Sequence, residues 1–192
     1  MPTTTKWITY EDSLTMPENR FEEIVDGESR IMPPPTRGHW RVLNRIHRTL
    51  IRQLTEEEHE ISRADVGLGI KRRPVLTYRI PDIAVFSVSA LVKDQAENPM
   101  DENYIWTPPE FIAECLSPSN RKGQIERLRE DYESINVPEL WFIDPRSRTL
   151  TIFLLERNSL VAKRTVENGV ISPVRLPQVN VNIDDLWRAF DF

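Results

Sequence analysis

The hydrophobic positions along the chain recur at two different spacings, and together they predict an α/β fold. Apolar residues at helical spacing predict a long helix over residues 38–57 and a second helix over residues 121–135. Short apolar runs bounded by proline or polar residues predict strands at residues 61–66, 69–71, 75–78, 83–86, 111–116 and 140–143. Residues 87–104 form a variable stretch to which no element is assigned.

Turn residues and the order of the elements organise these segments into a mixed sheet. Asp26-Gly27 lies between segments 21–25 and 29–32, and this dipeptide predicts a hairpin with a type I′ turn. Strand 111–116, helix 121–135 and strand 140–143 predict a βαβ unit with parallel strands. A second hairpin is predicted at 149–155 and 160–166, with short helices at 9–14 and 183–187. We therefore expect a mixed central sheet flanked by helices, with a βαβ unit and peripheral hairpins.

Length and composition restrict the class of protein. The chain has 192 residues, of which 39% are hydrophobic, and this suits one domain with a buried core. Because no repeat or linker divides it, we expect a single domain over residues 1–192. The one cysteine excludes an internal disulfide and a multi-cysteine zinc site. No apolar run reaches the roughly 18 residues of a membrane span and no secretory signal is recognisable, so we expect a cytoplasmic protein without a membrane anchor.

Two carboxylates stand at positions where ordinary packing would not place them. Glu114 interrupts an apolar strand that is predicted to be buried on both faces, so its carboxyl must be protonated, ion-paired or bound to a metal. Asp82 opens the apolar run at 83–86, on a strand expected to neighbour that of Glu114. Carboxylate oxygens brought together in this way suit Mg²⁺ or Mn²⁺. The residues alone equally allow Asp82 to cap a turn and Glu114 to pair with an arginine.

Several motifs in a fixed order resemble a known family. They are Phe21-Glu22-Glu23-Ile24-Val25-Asp26-Gly27, Met32-Pro33-Pro34-Pro35, Ile80-Pro81-Asp82-Ile83-Ala84-Val85, Ile112-Ala113-Glu114-Cys115-Leu116-Ser117-Pro118-Ser119-Asn120-Arg121, and Tyr132 followed by Asn136-Val137-Pro138-Glu139-Leu140-Trp141-Phe142-Ile143-Asp144-Pro145. Over about residues 9–153 the chain resembles the Uma-two (Uma2) family, a restriction-endonuclease-like group of the PD-(D/E)xK nuclease superfamily. The resemblance implies a restriction-endonuclease-like core and a nuclease that uses a divalent metal.

The resemblance also implies a role for each acidic residue that matches a motif. Asp82 corresponds to the metal-binding aspartate of the family and Glu114 to its second acidic ligand. The backbone carbonyl of Cys115 would be the usual additional ligand, and Glu23 would be an auxiliary acid. The expected metal ligands are therefore Asp82, Glu114 and Cys115, with Mg²⁺ or Mn²⁺ as the cofactor. The expected catalytic set is Asp82, Glu114, Glu23 and Lys122.

The lysine of the superfamily is missing from both places where the resemblance puts it. Those two positions hold Leu116 and Leu128. Lys122 or Arg121, at the start of the predicted helix, could take over its charge, although both could equally be solvated. Arginine would act only as a charge clamp, because it stays protonated. Metal binding is therefore better supported by the sequence than turnover.

A nucleic-acid partner would have to be held by a local basic surface, since the formal net charge is −5. The candidates for phosphate contacts are the stripe Arg41, Arg45, Arg48 and Arg52 on the long helix, together with Arg121 and the patch Lys71-Arg72-Arg73. A solvated helix face is the alternative interpretation of the stripe. The histidines, His39, His47 and His59, are expected to be surface or half-buried polar residues.

Three functions remain open from the sequence. The leading hypothesis is a Mg²⁺- or Mn²⁺-dependent endodeoxyribonuclease that hydrolyses phosphodiester bonds in DNA through Asp82 and Glu114. The alternative is a catalytically impaired pseudo-nuclease that binds nucleic acid or protein, because leucine occupies both lysine positions. A third, a protein that binds a small molecule or peptide in an acidic cleft, is supported only by the net charge. The sequence leaves the oligomeric state open, and the tail hairpin offers an interface for a homodimer.

Overall fold

The computed structural model describes residues 7–16, 22–99, 101–117 and 120–188. Its helices are α1 (Tyr10–Ser13), α2 (Arg37–Gln53), α3 (Val88–Glu97), α4 (Lys122–Ser134) and α5 (Ile183–Trp187). Its strands are β1 (Glu22–Val25), β2 (Glu28–Ile31), β3 (His59–Ser62), β4 (Gly67–Lys71), β5 (Thr77–Arg79), β6 (Ile83–Ser87), β7 (Tyr104–Ile105), β8 (Phe111–Cys115), β9 (Glu139–Asp144), β10 (Thr149–Glu156), β11 (Ser159–Val166), β12 (Val170–Ile171) and β13 (Val181–Asn182). No helix among the described residues is both long and apolar enough to cross a membrane.

The larger sheet has six strands in the order β11-β10-β9-β8-β6-β3. Strands β8 and β9 are parallel and are joined through α4, which confirms the predicted βαβ unit. Strands β6 and β8 are antiparallel neighbours with Ile83 opposite Ala113. Extending this register by one residue sets Asp82 opposite Glu114. The predicted neighbouring strands are thus confirmed, and their register brings the two acids to one end of the sheet.

A second sheet of five strands has the order β2-β1-β5-β4-β7. Its first hairpin has the predicted turn, since Asp26 and Gly27 both have positive φ, 51° and 78°, as a type I′ turn requires. Strand β1 pairs with β5, and Ile24 lies opposite Tyr78. The same register sets Glu23 opposite Arg79, so this sheet supplies a further acidic residue and an arginine beside the start of β6.

Helices cover both faces of the six-stranded sheet. On one face α2 and α5 pack against alternate strand residues, with Ile46 and Trp141 among the buried side chains. On the other face Tyr132 of α4 packs with Ile112 and Phe142. This alternation follows from the period of two along a strand. The result is the expected α/β arrangement of mixed sheets between helices.

Two predicted elements end earlier than expected. Helix α2 stops at Gln53 rather than at residue 57, and Leu54 is extended (φ −110°, ψ 151°). The run of three glutamates that follows Thr55 would lie at the negative end of the helix dipole, which disfavours helix there. Strand β3 stops at Ser62 rather than at residue 66. The Asp65 carboxylate accepts hydrogen bonds from the Ser62 hydroxyl (2.7 Å) and the backbone N–H of Arg63 (3.0 Å), which forms a turn.

The stretch 87–104, to which the pattern gave no element, contains α3 and the start of β7. Helix α3 buries none of its residues, so it has no apolar stripe that periodicity could detect. The predicted strands at 69–71 and 75–78 are shifted to Gly67–Lys71 and Thr77–Arg79. Phe21 of the first hairpin and Pro118-Ser119 of the fourth motif lie outside the described residues.

Candidate active site

A cleft of about 980 Å³ opens at the start of β6 and the end of β8, between the N-terminal turns of α2 and α4. Its acidic lining residues are Glu23, Asp82 and Glu114, and its basic ones are Arg30, Arg79, Arg121 and Arg146. Apolar side chains complete the walls, among them Ile31, Met32, Leu43, Leu116 and Leu128. The cleft therefore brings together the three acids that the sequence had singled out from three separate segments.

Asp82 is held from two sides. Its Oδ2 accepts a hydrogen bond from the backbone N–H of Cys115 at 2.8 Å. Its Oδ1 lies 3.1 Å from Nε2 of His39, in the first turn of α2. Thr36 caps that helix and accepts a hydrogen bond from the backbone N–H of His39 at 3.2 Å, which fixes the turn that carries the histidine. The Asp82 carboxylate thus has a defined orientation at the mouth of the cleft.

Glu114 is buried, with 8% of its surface exposed, and its carboxylate accepts a hydrogen bond from the Tyr132 hydroxyl. No cation among the described residues pairs with it. Burial, and after it the negative charge of Asp82, raise the pKa of Glu114 well above its usual value, while the hydrogen bond from Tyr132 acts in the opposite direction. The arginine partner that the sequence left open for Glu114 is therefore not present among these residues.

A buried ion-pair network lies beside these two acids. Arg79 is 6% exposed, and its Nη1 donates to Glu23 at 2.8 Å while Nε and Nη2 donate to Asp131 at 2.9 and 2.6 Å. Burial lowers the pKa of Arg79, but the carboxylates of Glu23 and Asp131 outweigh it and raise the pKa overall. Glu23 also accepts the backbone N–H of Ile80 at 3.0 Å. The network therefore anchors the segment that leads directly into Asp82.

The two leucines at the expected lysine positions, Leu116 and Leu128, both line the cleft. Lys122 is exposed in the first turn of α4 and is not one of the lining residues. Arg121 does line the cleft, and its backbone N–H donates to the Gln124 side chain at 2.8 Å. Of the two cations that were candidates to replace the lysine, the structure brings only Arg121 to the cleft.

The remaining predicted residues are placed as follows. Cys115 is buried on the α2 side of the sheet, and its backbone N–H is the group that contacts Asp82. Burial and the charge of Asp82 raise the pKa of its thiol, so the sulfur is unreactive. The stripe Arg41, Arg45, Arg48 and Arg52 lies on α2, and none of its members lines the cleft.

His39, like Arg79 and Tyr132, is a residue of this site to which the sequence analysis assigned no role. It was expected to be an ordinary polar histidine, yet it contacts Asp82 from 43 positions away in the chain. The available signal was its place three residues after Thr36, in the first turn of a helix that follows three prolines. That position orients a side chain at a helix N-terminus, but it does not identify the partner.

The donor set of the cleft is suited to a small divalent cation. The described residues include no group of three or more His, Cys, Asp or Glu side chains arranged as metal ligands. Mg²⁺ commonly takes one or two carboxylates and completes its octahedron with water and substrate phosphates. Asp82 and Glu114 provide such a pair of oxygen donors. Burial and, after it, the charge of Asp82 raise the pKa of Glu114, and a bound cation would offset both effects.

Comparisons with known proteins agree with this architecture. The Uma2 family model, described as “Putative restriction endonuclease”, matches residues 7–184 of the chain. A similar solved structure is that of “a putative nuclease belonging to DUF820 from Anabaena variabilis ATCC 29413”, with a TM-score of 0.75 and 17% sequence identity over 95% of this chain and 98% of that one. At this identity the match shows a shared fold. No curated protein matches the chain.

Proposed function

The chain belongs to the Uma2 family, and from that membership and the cleft we propose that it is a divalent-metal-dependent endonuclease acting on DNA. Asp82 and Glu114, together with the backbone carbonyl of Cys115, would hold Mg²⁺ or Mn²⁺. Such an ion would supply polarisation of the phosphodiester and a lowered pKa for an attacking water. The proposal rests on one observation above all: a buried glutamate without a cationic partner among the described residues lies beside a second carboxylate in a large cleft.

The other residues of the cleft orient this pair of acids. His39 and the backbone N–H of Cys115 hold Asp82, and the Tyr132 hydroxyl holds one oxygen of Glu114. Glu23 acts as an auxiliary acid through its hydrogen bond to the backbone of Ile80, which fixes the approach to Asp82. These contacts reduce the reorganisation needed when substrate enters, which is the main advantage of a preorganised site.

Arg121 replaces the missing lysine in neutralising the negative charge of the phosphate. It lies at the rim of the cleft, at the start of α4. Its guanidinium can contact a phosphate through two donors but cannot accept a proton. Lys122, directly beside it, is proposed as a second phosphate contact from the solvent side.

The decisive experiment measures cleavage and metal binding side by side. Supercoiled plasmid is incubated with Mn²⁺ and the wild type, Asp82→Asn or Glu114→Gln, with Glu130→Gln, an exposed acid of α4, as the matched control. We expect both cleft variants to lose cleavage and to lose Mn²⁺ binding in calorimetry, while the control retains both. Equal cleavage by all four proteins would refute the assignment of the site.

A separate experiment tests whether His39 positions the carboxylate of Asp82 for metal binding. His39→Ala should weaken Mn²⁺ binding about tenfold or more, as is usual for groups that orient a metal ligand. The free energy of unfolding should change little, because the ring is half-buried at the mouth of the cleft. Unchanged Mn²⁺ affinity would show that the contact with Asp82 is structural only.

A second function is favoured by a specific observation, namely that leucine lines the cleft at both lysine positions. In this alternative the protein is a pseudo-nuclease that binds nucleic acid or protein without cleaving DNA. Leu128→Lys discriminates between the two functions, with Leu116→Lys as the parallel variant at the other position. Cleavage that appears only when a lysine is restored would favour the pseudo-nuclease.

A further inference from the structure

The outer side of α2 carries positive charge without a single acidic residue. The helix holds five arginines and no Asp or Glu in its 17 residues. Its buried residues, Val42, Leu43, Ile46 and Leu50, face the core, so the arginines lie on the remaining circumference. We define the basic face as Arg37, Arg41, Arg45, Arg48 and Arg52. Its members follow one another every three or four residues, or about 4.5–6 Å along the helix axis.

Four of these five arginines have no carboxylate partner in the described part of the protein. Arg37, Arg45, Arg48 and Arg52 form no ion pair with a described carboxylate. The chain as a whole carries a net charge of −5, so the positive charge of the basic face is local and opposite in sign to that of the whole chain. A polyanion is the partner whose charge complements such a row of cations.

Trp40 adds an aromatic ring at the end of the basic face nearest the cleft. Its surface is 53% exposed, and it lies between Arg37 and Arg41 in the first turns of α2. The preceding residue, His39, contacts Asp82. A strand that followed the arginines would therefore pass Trp40 immediately before it reached the carboxylates of the cleft.

We propose that the basic face and Trp40 together bind an unpaired nucleic-acid strand, with the indole of Trp40 stacked on a base beside the cleft. This inference rests on the proposed function only for the cleavage of the bound strand in the cleft; the binding itself does not depend on it. Arginines that contact phosphates bind without regard to sequence or strand state. An exposed indole needs the free face of a base, and a paired base in a duplex has both faces covered. The combination therefore selects single-stranded segments over continuous duplex.

Binding is measured without metal, so that it does not depend on cleavage. Fluorescence anisotropy in EDTA compares a labelled single-stranded oligonucleotide with the same sequence as a duplex. The variants are Trp40→Ala and the pair Arg48→Ala with Arg52→Ala. Their matched controls are Trp7→Ala, a tryptophan that is 50% exposed, and Arg164→Ala, an exposed arginine on β11.

We expect Trp40→Ala to raise the Kd for the single strand about 5- to 150-fold and to change the duplex Kd by less than about twofold. The double arginine variant should flatten the plot of log Kd against log salt concentration by about 1.4 for single strands. The two controls should bind as the wild type does. Failure of the wild type to bind the single strand, or an equal loss for duplex in Trp40→Ala, would overturn the inference. Absent cleavage with intact binding would refute the proposed function alone.

Discussion

Replacing Arg79 with methionine removes the one cation that bridges two buried carboxylates. The side chains of Arg79, Glu23 and Asp131 are 7%, 12% and 5% exposed, so water screens their charges little. Three charge-assisted hydrogen bonds are lost, one to Glu23 and two to Asp131. Asp131 keeps an ion pair with Arg127 at 3.0 Å, whereas Glu23 keeps, among the described residues, the backbone N–H of Ile80.

The expected cost is about 4 kcal/mol, within the range of about 3–5 kcal/mol for breaking a buried pair by removing one partner. That is a large share of the roughly 5–15 kcal/mol by which a domain is stable. The triple variant Arg79→Met, Glu23→Gln and Asp131→Asn removes the charges together, so no buried charge is left unpaired. We expect it to recover most of the loss.

Urea unfolding followed by tryptophan fluorescence and circular dichroism measures both variants, with the midpoint and slope compared to the wild type. Arg188→Met, which breaks an exposed pair with Asp185, is the control and should cost less than about 1 kcal/mol. A loss of under about 1 kcal/mol in Arg79→Met, or a triple variant no more stable than the single one, would refute the reasoning. Either result would mean that the pair is already solvated.

Two further predictions concern stability. Burial and the Asp82 charge raise the pKa of Glu114 above its usual 4.5. The Glu114 carboxyl therefore stays protonated to a higher pH in the folded state than in the unfolded state. Without metal, the free energy of unfolding should therefore fall as the pH rises above about 4.5. Urea titrations in EDTA measure this trend, and Glu114→Gln should flatten it. An unchanged slope of unfolding free energy against pH in Glu114→Gln would contradict the prediction. Gly69→Ala sets a Cβ 2.3 Å from the Trp106 ring and should lower the melting temperature at a cost of about 1–3 kcal/mol. Gly123→Ala, whose Cβ meets nothing within 4 Å, is the control and should not destabilise; equal melting temperatures for the two variants would count against the clash.

The local elements could be predicted because their cause is local. Asp26-Gly27 favours the positive φ angles of a type I′ turn whatever the hairpin packs against. The continuous apolar runs of β8 and β9 predict burial on both faces without knowledge of the neighbouring strands. Glu114 could be singled out for the same reason, since an acid in a two-faced apolar strand is costly in any fold. Helix α3 escaped prediction because it buries no residue and so leaves no periodic signal.

The pairings within the site depend on contacts between distant segments. His39 meets Asp82 only because α2 packs against β3 and β8 of the larger sheet, and Arg79 meets Asp131 only because α4 packs against β4 of the smaller sheet, next to β5. Neither partner can be read from spacing along the chain, since sequence separations of 43 and 52 residues leave no local pattern.

The sequence by itself thus determined most of the elements, the family resemblance and the choice of Asp82 and Glu114 as the candidate acids, because burial and turn geometry act on neighbouring residues. The tertiary structure decided what holds those acids and which cation reaches them. It set His39 on Asp82 and Tyr132 on Glu114, and it left Lys122 outside the cleft that Arg121 lines. The physical reason is that electrostatic and hydrogen-bonding partners are chosen by distance in space, which packing alone fixes.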